Sequence, residues 1–243
     1  MTTRKLTGRV SPEAIRRMDL PRVPVQIMQR FANLGDITET LSDAMDNLGL
    51  CGAIAASTLI PALASSRVIG QVVTVRNVER TDSPHRAASS GKGKMGEHEA
   101  YNLAEPGDVV VIEGLSGISN MGGQSCSLAH RAGCAGAIID GSFRDPGVSR
   151  ELGFPIWARG ATPITGKWRL ETVEINGRVR IAGVSVDAGD LVAADEAGIV
   201  FVPFAHAEAV LIEAEKIRAG DIQQKADIAA GIDLATLAAT KYK

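Results

Sequence analysis

Apolar positions change period along this chain, and each change marks an expected element. In "TETLSDAMDNLG", residues 38–49, Leu41, Ala44, Met45 and Leu48 recur at helical spacing, and Gly49 stands where helices commonly stop. Upstream, Ser11-Pro12-Glu13 offers a cap followed by proline at the first helical position, and a second helical run is expected over Val25 to Ala32, stopped by Gly35. Beyond residue 50 the texture becomes β-rich, with short apolar runs at Val68 to Val75 and Val109 to Ile112. Between these runs, "ERTDSPHRAASSGKGKMGEHE" is polar, glycine-containing and without apolar period. A long mobile loop, a candidate lid, is expected there. "GDLVAADEAGIVFVP" predicts a hairpin of Leu191 to Ala194, a turn at Asp195 to Gly198, and Ile199 to Val202. A helix is expected over Ala205 to Ala219, capped or interrupted by Gly220.

The central stretch carries the most organised pattern. A strand (Val109 to Ile112) leads into the glycine-rich "EGLSGISNMGG", a helix (about Gln124 to Ala132), a turn at Gly133 to Gly136, and a strand (Ala137 to Asp140) ending in "DGSFRD". Nine helical residues rise about 13 Å, and a strand of four or five residues returns about 15 Å. The end of the second strand, at Arg144 and Asp145, is therefore expected to arrive beside the helix start at Gly122 and Gly123.

Composition narrows the possibilities. With 243 residues, 45% of them hydrophobic, the chain can form one domain, read here as 1–243. Within it, 1–50 form a helical N-terminal part, 51–203 a β-rich core and 204–243 a C-terminal helical extension. The 26 basic and 28 acidic residues leave a net charge of -2, so no global field favours nucleic acid. Residues 1–22 are mixed and charged, and no run reaches the roughly 20 apolar residues of a membrane span. A cytoplasmic protein without a membrane partner is expected. Cys51, Cys126 and Cys134 lack metal-type spacing and are read as buried, reduced packing residues.

The convergence of Arg144 and Asp145 with the glycines has a chemical meaning. Unpaired amides at a helix start attract anions, and glycine lets a ligand approach the chain. Arg144 presents a planar fork suited to a carboxylate. Asp145 offers a hard oxygen suited to Mg²⁺ or Mn²⁺. A small 2-oxo acid, a carboxylate with a neighbouring ketone oxygen, matches such a site. The loop is no P-loop and does not fit G-x-G-x-x-G. The bland reading of Arg-Asp is a solvated turn, and that of Glu97, Glu99 and Glu113 is surface carboxylates. His130, His206, Trp157 and Trp168 read as packing or surface residues.

"NMGGQSCSLAHRAGCAGAIIDGSFRD" resembles the core motif of the family that includes class II 4-hydroxy-4-methyl-2-oxoglutarate aldolases and the regulator of ribonuclease activity A. "TETLSDAMDNLG", "VIGQVVTV", "EPGDVVVIEG", "WARGATP" and "VRIAGVSVDAGDLVAADEAGIVFVP" resemble further family blocks in the same order. The resemblance implies an α/β, layered β/β/α swivelling-domain fold with N-terminal and C-terminal helices. It also implies a homotrimer or homohexamer with sites between subunits. A divalent metal, Mg²⁺ or Mn²⁺, would be held by Asp145, and Arg144 would bind pyruvate and stabilise its enolate. Gly122, Gly123, Gln124 and Ser125 would grip the carboxylate. The family's aldolases carry an aspartate 21 positions before the arginine, where this chain has Gly123, and a further acid from a neighbouring subunit aligns near Asp221 or Glu215.

The expected function is a metal-dependent lyase that cleaves or decarboxylates a small 2-oxo acid. Its rival is a non-catalytic oligomeric regulator that binds a ribonuclease, favoured by the missing aspartate. A methyltransferase using S-adenosylmethionine is the weakest reading, because no separate adenosine-binding pattern accompanies the glycines.

Overall fold

The computed structural model describes residues 5–242. Two helices open the ordered pattern, α1 (Val25–Ala32) and α2 (Ile37–Asn47), at the positions where the apolar period places them. Strands β1 (Ala53–Ala55), β2 (Ile60–Pro61) and β3 (Val68–Glu79) follow, then α3 (Pro84–Ser90), α4 (His98–Leu103) and β4 (Val109–Glu113). The centre holds α5 (Gly123–Arg131), β5 (Gly136–Phe143), α6 (Pro146–Leu152) and β6 (Ile156–Ala161). The remainder is β7 (Leu170–Ile175), β8 (Val179–Ile181), β9 (Val184–Val186), β10 (Leu191–Ala194), β11 (Gly198–Val202), α7 (Ala207–Ala229) and α8 (Leu234–Ala239).

Among the described residues, nine strands form one mixed sheet in the order β1-β11-β10-β3-β4-β5-β6-β2, with β7 also paired to β3. β3 is shared among three partners: Val68 to Gln71 pair with β10, Val72 to Arg76 run parallel to β4, and Val75 to Glu79 pair with β7. The parallel block β3-β4-β5-β6 is apolar along its length because both of its faces are covered. On β4, Val110 and Ile112 join Tyr101, Cys126 and Ala129 on the helical side. Val109 and Val111 point the other way, to Trp157, Val179, Ile181 and Phe201. The β8–β9 ribbon and β10–β11 thus make a second β layer. Beyond it, Leu41, Ala44 and Met45 of α2 and Val210, Ala214 and Ile217 of α7 close a further core against Leu191 and Val200. The fold is the layered α/β arrangement expected from the sequence.

Four local expectations are corrected. Residues 79–99 are not one long loop: α3 starts on the Ser83 cap, and α4 buries Tyr101 and Leu103. The Ser11 start yields only a single 3₁₀ turn, Pro12–Ala14. There the chain turns extended instead, since Ile15 bridges to Ile175 and the Arg16 amide donates to the Ile175 carbonyl (2.9 Å). Gly220 neither caps nor breaks α7; it lies buried inside the helix, on the stripe of Val210, Ala214 and Ile217. Cys126 and Cys134 are buried as expected, but Cys51 is exposed. No described helix is long and apolar enough to cross a membrane.

Candidate functional site

The β4-loop-α5-β5 unit brings its two ends together. β4 and β5 are parallel from Val109↔Gly136 to Glu113↔Asp140. The loop between β4 and α5 is organised by Asn120, which is fully buried. Its amide nitrogen donates to the carbonyls of Leu115 (2.9 Å), Ile118 (3.0 Å) and Ser142 (3.1 Å). The Arg144 amide donates to the Met121 carbonyl (3.0 Å), so the tip of β5 is tied to the residue before the glycine pair. Asp145 caps α6 in the left-handed region (φ 60°, ψ 50°), a conformation that aspartate tolerates better than most residues. That geometry lets Asp145 Oδ2 accept the Gly123 amide at 2.9 Å, with Arg144 Nε 3.3 Å from the same oxygen.

The glycine pair leaves room for this closeness. A Cβ on Gly122 would stand 3.1 Å from Arg144 Nε, and one on Gly123 would stand 2.9 Å from Val148 Cγ2 and 3.2 Å from Asp145 Cβ. A side chain at position 123, where the resemblance implies that the family's aldolases carry an aspartate, would meet Val148 and Asp145. The first turn of α5 leaves the amides of Gln124 and Ser125 without intrahelical acceptors. Gly123 does not join them as a free donor, because its amide is engaged by Asp145.

A cavity of about 420 Å³ opens at this helix mouth, bounded by Gly122, Gln124, Ser125, Arg144, Glu97 and Lys167 among others. Arg9 also lines it, so its cationic side chains are Arg9, Arg144 and Lys167, against one carboxylate, Glu97. That balance suits an anion. Arg144 also borders a second groove of about 470 Å³ with Asp145, Pro146 and Thr162. The arginine thus stands between the two spaces, 40% exposed, with Asp145 at 46%.

The other acids have separate partners. Glu97 and Glu99 are not surface carboxylates: they are 3% and 0% exposed. Glu99 is buried because it holds the N-terminal arm, accepting the Thr7 amide (2.9 Å) and hydroxyl (2.5 Å). Glu97 accepts the Ser125 hydroxyl (2.7 Å). Glu113 accepts the Arg180 amide (2.7 Å), and Glu215 is clamped by Arg30 (2.8 and 2.5 Å) within the same chain. Asp140, at the head of "DGSFRD", binds Arg159 (2.5 Å) and the Ala182 amide (2.6 Å), which ties β5 to its neighbours rather than to the cavity. Of the basic residues in 79–99, Lys94 pairs with Glu171 (2.6 Å), and only His98 reaches the cavity wall. Sequence reasoning overlooked Asn120, Arg9 and Lys167; Asn120 lies within the central motif, but nothing in its spacing reveals a buried hub.

Fold and site define a class: an α/β protein whose glycine-mouthed helix, arginine and aspartate meet at the end of a parallel strand. The family model described as RraA-like, Aldolase/RraA, matches residues 38–201, and the chain belongs to that family. A relative from Halalkalibacterium halodurans, provisionally named 4-hydroxy-4-methyl-2-oxoglutarate aldolase, is 31% identical over 186 residues, covering 76% of this chain and 80% of its own. An uncharacterized protein from Pseudomonas syringae pv. tomato superposes with a TM-score of 0.74 at 22% identity, covering 89% of this chain and 98% of its own. Streptomyces coelicolor RraAS2, described as an unusual member of the RNase ES inhibitor RraA protein family, superposes with a TM-score of 0.67 at 24% identity, covering 87% and 99%. These two structures share the fold.

Proposed function

We propose that this protein is a lyase that breaks the C3–C4 bond of a small 2-oxo acid through a pyruvate enolate. The observation that carries this reading is the convergence of Arg144 with the unpaired α5 amides of Gln124 and Ser125 at one cationic cavity. The Arg144 fork holds the C1 carboxylate, and the two amides share its negative charge. As the C3–C4 bond breaks, its electron pair moves toward C2 and the ketone oxygen becomes an enolate oxygen, beside the same guanidinium. Retro-aldol cleavage and oxaloacetate decarboxylation both pass through that intermediate.

Asp145 is the residue that would hold a divalent cation. Its Oδ2 is engaged by Gly123, which leaves Oδ1 available, and no group of three His, Cys, Asp or Glu gathers among the described residues. One carboxylate fits Mg²⁺ or Mn²⁺, which are commonly held by one or two carboxylates and complete their shells with water and substrate oxygens. When bound, the ion supplies Lewis-acid polarisation of the ketone oxygen. Assembly into a trimer or hexamer, with sites completed between subunits, belongs to the same proposal.

A second reading has its own support. Gly123 leaves the site without the aspartate of the family's aldolases, as a non-catalytic regulator binding a ribonuclease would tolerate. One experiment separates them: purified protein with Mn²⁺ is incubated with a panel of 2-oxo acids, and pyruvate is followed. The lyase reading predicts turnover that falls at least about 100-fold in Arg144→Ala and is also lost in Asp145→Asn. Wild-type rates in both variants, or no turnover with any acid, would reject it.

A further inference from the structure

The cavity's one lining carboxylate does not come from the Arg-Asp turn. Glu97 enters from the start of α4, 3% exposed, with Oε1 fixed by the Ser125 hydroxyl at 2.7 Å. Its Oε2 is buried and has no hydrogen-bond partner. An unpaired buried carboxylate oxygen is costly, and the residue that carries it lines the cavity. Ser125 is the third residue of α5, so the bond to it holds Glu97 at the helix mouth that faces Arg144.

Its neighbours limit what Glu97 does. His98 Nε2 stands 3.7 Å from Glu97 Oε1 and 3.4 Å from the Ser125 hydroxyl. The Tyr101 hydroxyl is also buried, and burial together with the nearby Glu97 charge holds its proton well above the ordinary phenol range. Tyr101 is thus confined to its neutral form. Position 123 gives no help, since a side chain there would meet Val148 and Asp145.

We propose that Glu97 is the proton carrier of this cavity. The proposal rests on the lyase reading and deepens it. For an aldol substrate, Glu97 takes the proton of the C4 hydroxyl, the O–H electrons form the new C4 carbonyl, and the C3–C4 pair passes into the enolate. Glu97 then returns the proton to C3, which gives pyruvate with no net gain or loss of protons. Run on pyruvate alone, the same residue removes and replaces a methyl proton.

The test is exchange of the pyruvate methyl protons in D₂O, followed by proton NMR with the full chain and Mg²⁺ or Mn²⁺. Binding of oxalate is measured in parallel by calorimetry. Wild-type protein is expected to exchange. Glu97→Gln, which keeps an oxygen for Ser125, is expected to lose at least about 100-fold in exchange rate while still binding oxalate. Exchange at the wild-type rate in Glu97→Gln, with loss in Arg144→Ala, would remove Glu97 from the mechanism and leave the lyase reading standing. Wild-type protein that neither exchanges nor releases pyruvate from any oxo acid would overturn both. If Glu97→Gln does not fold, Glu97→Asp decides: its withdrawn carboxylate should slow exchange at least about tenfold, and an unchanged rate contradicts the proposal.

Discussion

Gly122 shows how narrow the tolerances around Arg144 are. A methyl group there would sit 3.1 Å from Arg144 Nε, tighter than an ordinary contact, so the guanidinium must shift. Gly122→Ala is accordingly expected to lower kcat/KM for pyruvate release while the melting temperature stays close to wild type, both measured on one preparation. The thiols give an independent check of burial. Desolvation pushes Cys126 up to about 11 and Cys134 up to about 12, so neither supplies appreciable thiolate at pH 8, whereas Cys51 is exposed. Iodoacetamide at pH 8 should add one label to the native chain and three to the denatured chain, read by mass spectrometry. The Arg144 and Asp145 placement was legible in the sequence because a helix and a returning strand of matched length leave little choice. Burial of Glu97 and Glu99 was not, since their partners Ser125 and Thr7 are 28 and 92 residues away in the chain.

Among the elements, the loop from Gly114 to Gly122 depends most on one side chain. Asn120→Ala would leave the Leu115, Ile118 and Ser142 carbonyls without its amide. A loss of about 1–3 kcal/mol is expected by chemical denaturation, together with weaker oxo-acid binding as the mouth of α5 loosens. Wild-type stability would contradict the hub role. The long periodic helices and the continuous apolar strands were readable because their own residues carry the pattern. α3 and α4, with seven and six residues, are too short to show a period, and tertiary contacts hold them. The Arg80 guanidinium, for example, bridges Asp82 (2.8 Å) and the Lys92 carbonyl (2.9 Å) across that segment. Gly220 misled for the opposite reason: glycine costs about 1 kcal/mol inside a helix, and packing of the 23-residue α7 against α2 offsets it.

At the scale of the whole molecule, the layers account for one end of the sheet, where β4 and β5 bring the loop and Arg144 to one cavity, with Asp145 on the adjoining groove. α7 also carries exposed apolar residues along its length. Ile212, Ile222 and Ile228 are each more than half exposed, and Leu234 on α8 is exposed as well. Light scattering behind size exclusion should give three or six chains per particle; a monomer at micromolar concentration would contradict the assembly proposal. The layered architecture was legible because blocks resembling the family occur in order over most of residues 38–203. The contribution of the N-terminal arm was not, since Arg9 and Thr7 reach the cavity and Glu99 only through the folded structure. The most direct test of the central claim is calorimetric binding of oxalate, a planar stand-in for the pyruvate enolate, to wild type and Arg144→Ala in the presence of Mg²⁺. Binding that weakens at least about tenfold in the variant, the loss of a charge-assisted contact, is the result predicted here; equal affinity for the two proteins would contradict it.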